Sequence, residues 1–127
     1  MSPENEAIVK SLVSVAWADG EFADSERELL TGLLEAFQAS EAQASSIRTY
    51  AETKRSLEDI PLEDLSPDDL RVLINHAVLL TFIDGEQNAA ERDFVVRMAR
   101  YVGLTDEESS HLIASAEARA KRNLRFL

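Results

Sequence analysis

A short acidic signature, Asp-Gly-Glu, occurs twice in this 127-residue chain, and each copy follows an apolar stretch. Asp19-Gly20-Glu21 precedes Glu26-Arg27, and Asp84-Gly85-Glu86 precedes Glu91-Arg92, so the copies are 65 residues apart. The same offset aligns apolar and helix-capping positions: Val9 with Ile74, Val13 with Val78, Trp17 with Phe82, Leu30 with Val95, Leu33 with Met98, Phe37 with Val102, and Ser40 with Thr105. A duplicated unit that cannot bury its apolar face alone is expected to pack against its own copy.

Six segments carry apolar residues at helical spacing, and the chain has only four Gly and three Pro. Sparse turn residues favour a few long helices over many short strands. Ser2-Pro3 and Ser66-Pro67 are typical helix starts, with Ser as the N-cap and Pro at the first helical position. We therefore predict an all-α fold of six to seven helices. Two pseudo-symmetric three-helix units would pack around central helices 1 and 4.

The predicted helices carry two further expectations. Helix 4 is apolar almost all round from residue 77 to 83, so we expect it to be the most buried helix. Gly32 weakens the second helix by about 1 kcal/mol relative to Ala, and a close helix–helix contact there would compensate for it.

We interpret residues 1–127 as a single domain, with internal repeats at approximately 2–55 and 66–120 and a connector at 56–65. The connector is acidic but retains apolar anchors, which a flexible linker would not need: Leu57, Ile60, Leu62 and Leu65. It is therefore expected to be an ordered crossover with one short helical turn. The tail from residue 119 holds four of the thirteen basic residues and should continue the last helix or add a short seventh one.

Composition excludes several classes of function. The formal charge of −11 argues against a nucleic-acid partner, because affinity for a polyanion comes from Lys and Arg. The absence of Cys excludes thiolate nucleophiles and thiolate metal ligands. The acidic N-terminus is unlike a signal peptide, and no apolar run is long enough to span a bilayer. We expect no membrane insertion and a cytoplasmic location.

The acids of the signature suggest two kinds of chemistry. Four carboxylates lie within residues 19–26 and three more within residues 84–91. Oxygen clusters of this kind suit hard cations such as Ca²⁺, Mg²⁺ or Mn²⁺. The spacing is not that of an EF-hand, since Gly follows the first Asp directly and the closing Glu comes seven residues after that Asp.

Helix capping is the simpler explanation for part of the signature. Glu26 and Glu91 stand where a capping-box Glu belongs, and Asn88 is the expected N-cap of the second copy. Ala23 occupies that position in the first copy and cannot cap, although Asp24 could do so one residue later. Asp19 and Asp84 follow the ends of apolar helices, where the helix dipole disfavours negative charge. A bound cation, or hydrogen bonds to the following loop, would account for them.

The pattern Asp-Gly-Glu-x4-Glu-Arg, present twice at the end of an apolar helix, resembles the TerB-like domain of tellurite-resistance proteins. A similar domain occurs in the N-terminal region of some membrane-anchored J-domain co-chaperones. The resemblance covers residues 7 to 116 and implies an all-helical, stress-linked bacterial protein with no assigned reaction. It also implies a cation site formed by the motif acids, which are here Asp19, Glu21, Glu26, Asp84, Glu86 and Glu91. No J-domain is present, so a co-chaperone role does not carry over.

Two hypotheses for function follow. The first is a non-enzymatic stress-response module in which a divalent hard cation changes the surface offered to a protein partner. The alternative is a metal-independent helical scaffold for protein partners, with the acids serving as caps and solubilising charge. An enzyme is disfavoured because no nucleophile, general base or substrate pocket can be named. His76 and His111 are interpreted as structural or surface residues, and Trp17 and Phe82 as core aromatics.

Overall fold

A computed structural model describes residues 1–82 and 87–125, and gives the side chains up to residue 122. These residues form six helices: α1 (Pro3–Ala16), α2 (Asp24–Ala36), α3 (Glu41–Ala51), α4 (Pro67–Thr81), α5 (Ala89–Tyr101) and α6 (Asp106–Arg125). Three 3₁₀ turns lie at Trp17–Asp19, Leu57–Asp59 and Leu62–Asp64, and the described ranges contain no strand. The predicted all-α class is confirmed, and the basic tail continues the last helix as far as Arg125.

The helices begin where the sequence provides capping residues. The Ser2 hydroxyl accepts from the Asn5 N–H at 3.1 Å, and the Ser66 hydroxyl accepts from the Asp69 N–H at 3.2 Å. Each serine is followed by Pro at the first helical position, whose missing N–H needs no partner there. In the repeat, α2 and α5 have thirteen residues each and begin 65 residues apart.

Helices α1 and α4 pack against each other at the centre of the molecule. Their buried side chains share one core with residues of α5 and α6, including Ile8, Leu12, Ile74, Val95 and Ile113. A second cluster, under α2 and α3, contains Val9, Val13, Leu30, Leu34 and Ile47. The burial of both central helices therefore positions the segments that follow them, and those segments carry the acidic signature.

The most buried helix is α1, so the expectation for helix 4 was wrong. Residues 7–9 and 11–16 of α1 are all buried, whereas Val72 and Leu79 of α4 are 39% and 45% exposed. The difference comes from the neighbours of each helix. Helix α1 contacts both 3₁₀ turns of the connector in addition to α2, α3, α4 and α5, whereas the main neighbours of α4 are α1, α5 and α6.

The connector is ordered and contains two 3₁₀ turns where one helical turn was expected. Its Ile60 is 5% exposed and belongs to the main core, which explains why the segment needs apolar anchors. Gly32 differs from expectation: it is exposed, and a Cβ built on it would meet no heavy atom within 4 Å. No close helix contact compensates for this glycine.

None of the described helices combines the length and apolar character that a bilayer crossing requires.

Candidate functional site: the junction of the acidic loops

The first acidic loop begins where α1 tightens into the Trp17–Asp19 turn. Gly20 ends this turn in the left-handed conformation, with φ +86°, and its N–H donates to the Trp17 carbonyl at 2.9 Å. A side chain at this φ would be strained, so the glycine of the signature has a conformational cause. The reversal brings Asp19 and Glu21 to the surface, where both are exposed.

Asp19 is held by two hydrogen bonds, one to each carboxylate oxygen. Its Oδ1 accepts from the Glu21 N–H at 3.0 Å, and its Oδ2 accepts from the Asn88 side-chain amide at 3.0 Å. Donors of this kind offset the unfavourable position of an acid beyond a helix C-terminus. Hydrogen bonds, one of the two explanations for Asp19, are therefore present.

Asn88 joins the two copies of the repeat. Its side-chain oxygen accepts from the Glu91 N–H at 2.9 Å, which makes it the N-cap of α5, as predicted. The amide nitrogen of the same side chain donates to Asp19, 69 residues away in the chain. The Trp17–Asp19 turn also packs against α5. The end of α1 and the start of α5 therefore meet at one place, which we call the acidic junction.

Glu26 lies in the first turn of α2 and is 4% exposed. Its Oε1 accepts from the Ala23 N–H at 3.1 Å, so its capping role is confirmed. Ala23 is the N-cap and provides no side-chain bond. The helix begins at Asp24, which therefore does not replace Ala23 as the cap. Glu26 also borders a small cavity whose other walls are apolar: Leu12, Val13, Ala16, Phe22, Leu29, Leu30, Leu33 and Leu80.

Glu91 takes the equivalent place in α5 and is 2% exposed. One half of the capping box expected here is seen directly. Asn88 caps the Glu91 N–H, but the N–H of Asn88 itself donates to the Thr81 carbonyl at 2.7 Å. Each copy of the repeat thus places one buried carboxylate in the first turn of its second helix.

The described residues include only part of the predicted ligand set. Asp84 and Glu86 lie outside the described residues. Within the described ranges, no three Asp, Glu or His side chains are grouped closely enough to hold a metal ion. The cation site formed by the six motif acids therefore stays a prediction. Of the described members of the set, Asp19, Glu21 and Glu91 lie at the acidic junction, whereas Glu26 lies at the start of α2.

Phe22 also belongs to this region, although the sequence pattern did not predict it. Its ring stacks on Trp17 with centroids 5.7 Å apart, and the Arg27 guanidinium lies 5.1 Å from its centroid. The Trp17 indole N–H donates to the Ala51 carbonyl at 2.9 Å, which fixes the first loop to the end of α3. Trp17 is half-buried and Phe82 is buried, consistent with core aromatics. An aromatic two positions after Gly20 was the available indication for Phe22.

A polar network on the other side of α5 was also not predicted. Glu117 of α6 accepts from the Gln87 amide at 2.7 Å and from Arg92 Nε at 3.2 Å. It ties the segment before α5 to α6. His76 makes structural contacts, since its Nδ1 lies 3.0 Å from the Val72 carbonyl and its ring lies beside that of Phe37.

Comparisons with known proteins agree with the doubled motif and the all-helical fold. Searches of the curated proteins and of the solved structures gave no match. The family model described as "Tellurite resistance protein TerB" matches residues 5–114. That match spans both copies of the repeat and the whole acidic junction, and the chain belongs to the TerB family.

Proposed function

We propose that this TerB-family protein is a non-enzymatic interaction module of the stress response, and that a divalent hard cation acts at its acidic junction. One observation supports this most directly: the bond between Asp19 Oδ2 and the Asn88 amide, which links two loops 69 residues apart. A cation bound to that oxygen competes with the amide donor. Cation binding and the contact between the loops are therefore coupled.

The expected consequence is a change in helix position. Asn88 is the N-cap of α5, so a cation that replaces its bond to Asp19 alters how α5 sits against the end of α1. Ca²⁺, Mg²⁺ and Mn²⁺ all prefer carboxylate oxygens, and Ca²⁺ tolerates irregular geometry best. Asp19 and Glu21 would supply ligands from the first loop, and Asp84 and Glu86 from the second. Glu26 and Glu91 would respond through the helix starts that they occupy.

TerB is not a known enzyme family, and the proposal includes no catalytic step. The proposed output is a surface presented to a protein partner. The link to stress response rests on the family description, which concerns tellurite resistance.

Calorimetry and thermal melts of metal-free protein with Ca²⁺, Mg²⁺ and Mn²⁺ test the proposal. Saturating cation at 100 times its Kd should stabilise the parent by about 2.7 kcal/mol. The double variant Asp19→Asn/Asp84→Asn should lose this stabilisation. A matched control is Glu28→Gln/Asp93→Asn, which removes the same charge from exposed, equivalent positions of α2 and α5. The control should keep the full response to cation. If cations acted only by screening the net charge of −11, both double variants would lose the same part of the response, because each removes two negative charges.

A metal-independent scaffold is the second candidate, and a specific observation favours it. Three motif-acid oxygens already accept hydrogen bonds: Asp19 Oδ1, Asp19 Oδ2 and Glu26 Oε1. These bonds alone can explain why the acids are present. Flat titrations at millimolar cation would refute the cation proposal and leave the scaffold, in which the Asp19–Asn88 bond is purely structural.

A further inference from the structure

An apolar stripe on α4 is left open to solvent. Val72 and Leu79 are 39% and 45% exposed and lie seven residues apart, so they share one side of the helix. Asn75 lies between them and accepts a 2.8 Å hydrogen bond from Arg119 of α6. Asn75, Leu79, Ala116 and Arg119 line a shallow groove between α4 and α6. We call this surface, including Val72, the α4–α6 groove.

The repeat shows how the corresponding surface of α1 is used. The equivalents of Val72 and Leu79 are Ala7 and Ser14, which are 2% and 0% exposed. Pro61 and Asp64 of the connector lie with Ala7 around one surface pocket. The first repeat therefore covers the Ala7 end of this face with the chain's own connector.

The connector is also held to α3, beside α1. The Tyr50 hydroxyl donates to the Asp59 carbonyl of the connector at 3.3 Å, and the Lys10 ammonium lies 5.4 Å from the Tyr50 ring centroid. Burial raises the pKa of Tyr50 and Asp59 raises it further, whereas Arg55 and the Ser14 hydroxyl lower it.

The connector has a distinctive chemistry. Between residues 56 and 65 it holds four acids and no basic residue, and its four apolar anchors are Leu or Ile. The α4–α6 groove offers the complementary charges. Arg119 stands at its wall, Arg122 follows one turn later on α6, and Arg71 precedes Val72 on α4; all three are exposed. These are local positive charges on a chain of net charge −11.

We infer that the α4–α6 groove binds an acidic, leucine-containing segment of a partner protein, with the chemistry of the connector. Leu or Ile side chains of that segment would cover Val72 and Leu79. Its carboxylates would pair with Arg119 and Arg122. Asp68 lies one turn before Val72, so the acidic end of the segment should point toward α6. The inference does not depend on cation binding at the acidic junction.

A peptide of residues 56–66 of this protein is the probe, carrying a fluorophore and titrated with the full chain. Anisotropy should show saturable binding with a Kd of about 10–100 μM, as expected for a short peptide on a shallow apolar surface. The tethered connector has a high effective concentration at α1, so the free peptide will not displace it there. Binding should weaken at high salt, since the charged groups are exposed.

Two variants and a control locate the binding. Leu79→Glu should weaken the peptide at least tenfold, and Arg119→Glu by a similar factor. Tyr101→Glu is the matched control, because Tyr101 is 40% exposed at the end of α5 and the charge change equals that of Leu79→Glu. It should bind like the parent. A peptide in which Leu57, Ile60, Leu62 and Leu65 are replaced by Ser keeps the acids and should not bind.

Three results would overturn the inference. The first is no binding of the parent peptide at about 1 mM protein. The second is equal binding by Leu79→Glu and the parent. The third is a dimer, detected by sedimentation, that Leu79→Glu dissociates, because the occupant of the groove would then be a second copy of this chain.

Discussion

The hydrogen bond from Asn88 to Asp19 can be removed without disturbing the helix cap. Asn88→Ser keeps an oxygen that accepts from the Glu91 N–H but removes the amide that donates to Asp19 Oδ2 at 3.0 Å. A hydrogen bond to a charged group contributes about 1.5–3 kcal/mol, and solvent exposure at Asp19 reduces this. We expect the free energy of unfolding to fall by about 0.5–1 kcal/mol. The melting temperature should fall by about 2–5 °C.

Two further substitutions of Asn88 separate the contribution of the helix cap from that of the bond to Asp19. Asn88→Ala also removes the cap of α5, which contributes about 1 kcal/mol more. Asn88→Asp keeps a capping oxygen but places a carboxylate beside Asp19. Repulsion of two charges about 4 Å apart in water is about 1 kcal/mol, and salt should reduce it. The expected order of stability is parent, Ser, then Asp and Ala, with the Asp variant gaining most from added salt.

Denaturant unfolding followed by circular dichroism measures these differences, and a double-mutant cycle isolates the pair. Asp19→Ala combined with Asn88→Ser should give a coupling energy of about 0.5–1 kcal/mol. Ser66→Ala is the control, because Ser66 caps α4 with a bond of the same type to Asp69. Asp19→Ala and Ser66→Ala should be additive. Equal coupling in both cycles would show that the loops do not stabilise each other.

Three other changes have defined outcomes. Gly32→Ala should raise the free energy of unfolding by about 0.5–1 kcal/mol, since the site is helical, exposed and open; a decrease would indicate a hidden contact. Ala23→Asn should stabilise α2 by about 1 kcal/mol in the same assay, because φ −69° and ψ 160° are N-cap angles and Ala offers no acceptor. Burial raises the pKa of Tyr50 above 10.0, so its contribution to stability is complete below that pH and is lost as pH rises toward the folded-state pKa. Tyr50→Phe should remove this loss of stability at alkaline pH. If the free energy of unfolding falls equally with pH in the parent and in Tyr50→Phe, the prediction is wrong.

Local patterns predicted the elements well because their causes are local. Ser2, Ser66 and Asn88 cap helices in the structure as their positions in the sequence indicate. A cap needs only a side-chain oxygen and an N–H two or three residues later. The copies of the repeat also agree in local structure, since α2 and α5 have equal lengths and begin 65 residues apart.

Contacts between distant segments could not be predicted from the sequence. Asn88 was predicted as a cap, but its second bond, to Asp19, depends on how the two repeats dock. The greater burial of α1 than of α4 has the same origin. The sequence of α4 is the more apolar near its end, yet the path of the connector decides which helix is covered. The expectation of a close helix contact at Gly32 was wrong for the same reason. No local pattern tells which side of a helix will meet a neighbour.

The two copies differ where their neighbours differ, and this asymmetry separates their roles. Ala7 and Ser14 are small and buried, and Ala7 lies beside the connector, whereas Val72 and Leu79 are larger and more apolar although solvent reaches them. Duplication alone would have kept the same residues, and exposure alone favours polar ones. A covered α1 face and an apolar exposed α4 face are both explained if the first repeat closes itself with the connector and the second receives its cover from another chain. The interaction surface of this protein is therefore expected on α4 and α6 of the second repeat.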